Sequence, residues 1–274
     1  MNRSECKIGI STSIDYSVRI EDQIRHIHKA GFHFISVGAD TVHSRFFDKR
    51  DFTGILKLVS RESLFVESAH IPFGPGYNIS DKDKSDRRKA VNNTMEFLKH
   101  TADYGIPLAI IHPHHYLQES REEVFKKSLE SLKTIIESKP KEIRMAVENL
   151  PTAAGNWICS NLLNNLDKSK IGFCYDSSHE NMSGRSFEIL RKYHERITTT
   201  HLSDNHGQSD EHLIPGEGNI DWKRLIYYLD LSNELKNLLF EIGTGEKLAA
   251  PLPVFLRKAL RGIEKSLGGD YVRS

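Results

Sequence analysis

Cysteine is scarce. Cys6, Cys159 and Cys174 are scattered through 274 residues with no C-x-x-C spacing. An odd, dispersed set does not build a disulfide framework and suits a reducing compartment. No apolar run approaches the ~20 residues that cross a bilayer, which argues against a membrane partner. The opening stretch, MNRSECKIGIS, carries no hydrophobic signal core, so a cytoplasmic location is expected. Charge of one sign is also lacking: 38 basic and 37 acidic side chains leave a formal +1. A protein whose main partner is nucleic acid usually carries a basic surplus, so this balance counts against that class. The chain has no G-x-G-x-x-G and no Pro/Ser-rich linker or low-complexity block. That absence argues against a dinucleotide-binding open sheet and against a division into domains.

What is present is a regular alternation. Short β-branched or aromatic runs at 7–12, 34–39, 64–70, 108–112, 144–149, 171–176, 197–202 and 237–242 read as strands. Helix-period segments lie near 19–30, 51–61, 82–104, 121–138, 158–167, 184–195, 222–231 and 252–266. Ser120 with Glu123 reads as a capping box, Ser80 with Asp83 as a weaker one, and Gly31 and Gly105 sit where helices would stop. Eight βα units in one uninterrupted run predict an α/β fold, a (β/α)8 TIM barrel spanning 1–274 as a single domain.

The stretch Thr198–Trp222, TTTHLSDNHGQSDEHLIPGEGNIDW, holds three histidines and several carboxylates around a Gly-Glu-Gly turn. Imidazole nitrogen and carboxylate oxygen are ligands for zinc, manganese, cobalt and iron. Asp210 and His212, two apart, would point to one side of an extended segment. The other strands supply matching groups at their C-terminal ends: His70, His112, Glu148, Asp176 (then His179), His201 and Glu241. Small or apolar Ser68, Ile110, Ala146, Cys174, Thr199 and Leu239, each two residues earlier, share the inward face. In a barrel these ends converge where active sites form. So many buried acids and imidazoles are costly together unless cations take their charge and lone pairs.

On ENLP, DSSH and HLSDN…DEHLIPGEGNIDW, and across 68–243, the chain resembles the xylose-isomerase-like barrel superfamily. That superfamily holds sugar (phosphate) isomerases and epimerases together with the endonuclease IV type of abasic-site nuclease (AP endonuclease family 2). The resemblance implies a common site of Glu148, Asp176, His201 and Glu241, with His70, His112, His179, Asp210 and His212 added in the endonuclease branch. It implies one metal on His70, His112 and bridging Glu148. A second would lie on Glu148, Asp176, His201 and Glu241, and a third on His179, Asp210 and His212, giving one to three ions of zinc, manganese or cobalt.

Two chemistries fit such a site. The first is a divalent-metal-dependent isomerase or epimerase of a small sugar or sugar phosphate, with Glu148 and Glu241 as the proton-transfer pair. The alternative is an endonuclease IV-like phosphodiesterase acting on abasic-site DNA. Charge balance, a short His201-to-Asp210 segment and a lid-like IPFGPGYN loop favour the sugar. Arg45, Lys49 and Arg50, after the second strand, favour a backbone-gripping loop. His114, Trp157 and His206 are candidate substrate contacts, Asp204 is expected as a structural hydrogen-bond acceptor, and a homodimer is expected from the barrel class.

Overall fold

The computed structural model describes residues 6–184, 186–243 and 245–268. Eight parallel strands run β1 Lys7–Ser11, β2 Phe34–Gly38, β3 Phe65–His70, β4 Leu108–Ile111, β5 Arg144–Glu148, β6 Ile171–Asp176, β7 Ile197–His201 and β8 Asn237–Phe240. Their order, β7-β6-β5-β4-β3-β2-β1-β8, places β7 and β8 at the two ends. Leu202 N–H donates to Leu239 O and Glu241 N–H to Leu202 O, both at 3.0 Å, joining those ends. The result is a (β/α)8 TIM barrel.

The helices are α1 Ile20–Ala30, α2 Lys49–Arg61, α3 Lys84–Asp103, α4 Arg121–Ser138, α5 Ala153–Asn165, α6 Ser177–Met182, α7 Glu188–Tyr193, α8 Trp222–Asp230 and α9 Leu252–Leu267. Each strand alternates: Val37, Ala69, Ala109, Val147 and Phe173 face the helix layer, which returns Ile24, Phe52, Phe97, Leu132 and Leu162. The inward residues Leu108, Ile110, Ala146 and Cys174 form a separate small core inside the barrel. Cys174 is thus a buried packing group, its thiol pushed up to about 12 chiefly by burial.

Several helix starts differ from expectation. Helix α5 begins at Ala153, not near 158, because the Thr152 side chain accepts from Gly155 N–H and caps it. The segment expected as one helix over 184–195 is α7 followed by a 3₁₀ turn, His194–Arg196. The cap of α3 is Asp83 rather than Ser80; Asp83 accepts from Ser85 and Asp86 N–H, while the Ser80 hydroxyl bonds Asn78. Ser120 caps α4 as expected, and Gly31 and Gly105 adopt the left-handed conformation that ends α1 and α3.

Two register shifts shape the interior. Ile35 pairs with Val66 and Ser36 with Ser68, leaving Glu67 as the extra residue. Glu67 accepts from Thr199 Oγ1 at 3.0 Å and Asn237 Nδ2 at 2.8 Å, a polar tie joining β3 to β7 and β8. The second shift sets Thr198 out of register on β7, and a Cβ on Gly172 would collide with its hydroxyl.

The long β7–α8 connection is organised by Asp204. Its fully buried carboxylate accepts from Asn205, Gly216 and Ile220 N–H and from Trp222 Nε1, at 2.8–3.1 Å. Asp204→Ala would orphan those buried donors and is expected to cost about 3 kcal/mol. Thermal unfolding would show this as a drop of several degrees, with the connection's amides losing hydrogen-exchange protection first.

Candidate metal centre

Glu148 ends β5 and is 1 % exposed. Its Oε2 lies 3.1 Å from His70 Nε2, 3.4 Å from His112 Nε2 and 3.3 Å from His201 Nδ1. Glu241 Oε2 approaches the same His201 Nδ1 at 3.0 Å. Asp210 Oδ2 sits 3.1 Å from both His179 Nε2 and His212 Nε2. Donor atoms of His70, His112 and Glu148 lie within 4.8 Å of one another, as do those of Glu148, Asp176 and His179, and of Asp176, His201 and Glu241. All nine candidate ligands named from the sequence therefore meet at the C-terminal mouth.

The donor set fits divalent cations. Ligands held at ~2.1 Å around a tetrahedral ion stand ~3.4 Å apart, close to these separations. Asp176 Oδ2 and Asp210 Oδ1 are buried with no hydrogen-bond partner, a costly state unless something else takes their lone pairs. The rings are also oriented from behind. His70 Nδ1 donates to Ile71 O at 2.7 Å, His179 Nδ1 to Asn149 O at 2.7 Å and His212 Nδ1 to Glu241 O at 3.0 Å. Each leaves Nε2 turned to the mouth, the arrangement that metal-binding histidines use. Asp176 is fixed likewise: Oδ1 accepts from His179 N–H at 2.7 Å, capping α6. His212 holds a left-handed backbone, φ 47°, a strained choice outside glycine that the surrounding bonds enforce.

Electrostatics point the same way. Burial opposes the charge on Glu148, yet His201 and His112 hold its carboxyl well below the usual range. Burial works equally against Glu241, and His201 and His212 outweigh it, bringing it down to about 2. Asp176 is pushed up to about 7, first by burial, against the pull of His179. Burial disfavours a proton on His179 and His212, but Asp176 and Asp210 raise the first to about 10, and Asp210 and Glu241 raise the second to about 9. The carboxylates thus demand positive charge here, and protons supply it when no cation does.

These groups, apart from the fully buried Asp176, border a cavity of about 410 Å³. Its far side adds Pro72 and Phe73 of the IPFGPGYN loop, together with groups not singled out in the sequence: Ser11, Ser13, Tyr16 and Asp40. Ser13 Oγ donates to Glu241 Oε1 at 3.1 Å. Phe73 stacks on the His112 ring, centroids 5.6 Å apart. The loop carrying Phe73 is pinned by Gly74 N–H donating to His115 Nδ1 at 2.9 Å. Lone serines and aromatics before or after strands carry no pattern that separates them from ordinary loop residues.

The three expected substrate contacts do not line this cavity. Trp157 lies within α5, because that helix starts early, and packs on Phe125 beneath the Arg121 guanidinium, 4.5 Å from the ring. His114 is buried beside the site, pushed down to about 4 first by burial, with neither ring nitrogen bonded. His206 is exposed and its Nδ1 is 3.0 Å from Glu211.

The match to the xylose isomerase-like TIM barrel family covers residues 24–258, and the chain belongs to that family. An uncharacterized protein of Methanocaldococcus jannaschii, MJ1311, is 22% identical over 93% of this chain and 92% of its own. Another from Sinorhizobium fredii, y4fM, is 31% identical over 105 residues, 37% of this chain and 34% of its own, so the chain spans about a third of that relative. Among solved structures, D-psicose 3-epimerase crystallised with D-fructose superposes with TM-score 0.77 at 20% identity, covering 96% of this chain and all of that one. The IolI protein with a bound zinc atom superposes with TM-score 0.82 at 13% identity, over 97% and 99%. These likenesses establish the fold.

Ligated imidazoles must be neutral, so an arriving cation displaces the protons held by His179 and His212. Adding zinc to metal-free protein at pH 8, below both values, is expected to release at least two protons per chain, since His201 is also held well above the usual imidazole range despite its burial. The release should shrink as pH rises through 10, and metal affinity should weaken as pH falls. Calorimetry in buffers of different ionisation enthalpy measures both.

Proposed function

We propose that this protein is a divalent-metal-dependent isomerase or epimerase acting on a small sugar or sugar phosphate. The observation that carries the reading is the placement of Glu148 and Glu241. Two carboxylates from β5 and β8 flank His201 Nδ1, at 3.3 and 3.0 Å, where both border a cavity of about 410 Å³. A volume of that size suits a small molecule. The D-psicose 3-epimerase and L-ribulose 3-epimerase that share the fold support the substrate class by analogy.

Glu148, Asp176, His201 and Glu241 would hold the cation on which the reaction depends. When bound, it would polarise a carbonyl and its neighbouring hydroxyl, acidifying the proton on the hydroxyl-bearing carbon beside the carbonyl. The chain's own groups do the rest. One glutamate takes the proton and the other returns it. Ser13, bonded to Glu241 Oε1, fixes the direction in which Oε2 faces.

A phosphodiesterase is the second reading, and a specific feature favours it: His179, Asp210 and His212 form a further ligand group beyond the four common residues. Against it, two of the three basic residues after β2 pair with acids elsewhere. Arg45 pairs with Glu21 and Asp51, and Lys49 with Asp103.

Incubation of the metal-loaded protein with ketoses in heavy water is expected to place deuterium at the carbon beside the carbonyl. Glu148→Gln or Glu241→Gln should slow that exchange by about 10²–10⁴-fold, and Ser13→Ala by less. Cleavage of abasic-site DNA that vanishes in Glu148→Gln, with no exchange into any sugar, would replace this reading with the second.

A further inference from the structure

The cavity has two chemically different sides. Acids and imidazoles from β3 to β8 make one. The other, from the β1, β2 and β3 ends, is Tyr16, Ala39, Ile71, Pro72 and Phe73, with only serine hydroxyls and Asp40 among them. No lysine or arginine among the described residues borders the cavity. Tyr16 and Phe73 leave 52% and 73% of their surface open, so their rings are available for contact.

The backbone offers little substitute for a missing cation, although α1, α7 and α9 start without a side-chain cap. Barrels commonly seat a phosphate on loops after the seventh and eighth strands and an added short helix there. No such helix occurs among the described residues between β7 and α8 or between β8 and α9. Elsewhere, Asp48, Asp83, Asp176 and Asp221 cap α2, α3, α6 and α8, so their own carboxylates occupy N–H groups that would otherwise draw an anion.

Resting on the sugar reading, we infer that the substrate is uncharged at the end remote from the reacting carbons. It is a free ketose or a related polyol rather than a phosphate ester. With the carbonyl and hydroxyl directed to the acid-and-imidazole side, the rest of a five- or six-carbon chain meets the Tyr16–Phe73 wall. Its C–H face packs on the rings and its hydroxyls reach Ser11 and Ser13. A terminal phosphate placed there would be stripped of water beside Asp40 with no cation to meet it, a cost that selects against such esters.

The test pairs each ketose with its terminal phosphate, D-xylulose with D-xylulose 5-phosphate and D-fructose with D-fructose 6-phosphate. Deuterium exchange and calorimetric binding are both measured on metal-loaded protein. The free sugar is expected to show kcat/KM about 100-fold higher or more. Phe73→Ala should raise KM for the free sugar by up to ~10-fold, with Phe73→Leu intermediate and metal content unchanged by elemental analysis. If no sugar exchanges, the isomerase reading falls, yet calorimetry with xylitol against xylulose 5-phosphate still decides what the wall accepts. Equal or tighter handling of the phosphate ester, failure of the uncharged sugar and of xylitol to bind, or a free-sugar KM indifferent to Phe73→Ala would overturn the inference.

Discussion

Four carboxylates, Glu148, Asp176, Asp210 and Glu241, share one mouth with five imidazoles, and their mutual repulsion is the constraint around which the site is built. Glu148 and Asp176 are almost wholly removed from water. Anions so placed are tolerated only where positive charge is interleaved with them. Each carboxylate accordingly has a histidine beside it: His70, His112 and His201 around Glu148, His201 beside Glu241, His179 beside Asp176, and His179 and His212 on Asp210. The raised values of His179 and His212 express that demand in protons, and a divalent cation meets the same demand more compactly.

Much of the remaining architecture serves to hold these groups still. Carbonyls of Ile71, Asn149 and Glu241 fix three of the rings from behind. Asn149 also clasps Asp176, donating to its carbonyl and accepting its N–H, so the ends of β5 and β6 are locked together. The β7–α8 connection, which delivers Asp210 and His212, is tied down by the Asp204 carboxylate rather than by an apolar core of its own. Beneath the mouth, Leu108, Ile110, Ala146 and Cys174 fill the barrel with small and branched side chains. A tightly packed interior resists the displacement of about 1 Å that would spoil proton transfer.

The strands were legible because their period is two and six of the apolar runs, β3 to β8, end in an ionisable residue. All eight fall within a residue or two of their expected positions, and the ionisable ends mark the mouth. Helix starts were less legible. Thr152 caps α5 through a weakly amphipathic opening, AAGN, that gives no periodic signal, and Trp157 moved from an expected loop into a helix for that reason. Ser13 was invisible for another reason: its importance lies in standing opposite the end of β8, and nothing in its local sequence records that proximity, whereas Phe73 was legible only as part of the IPFGPGYN loop.

The amino-acid sequence alone determined the alternation of strand and helix, and with it the barrel, because side-chain periodicity and turn chemistry act over a few residues. It also determined which acids and histidines end the strands. Only the tertiary structure decided which of them share an oxygen or a nitrogen, which ring nitrogen faces the mouth, and that an apolar, cation-poor wall stands opposite. Those properties depend on closing the sheet and routing its loops. Closure brings residues more than two hundred positions apart, such as Ser13 and Glu241, within hydrogen-bonding distance.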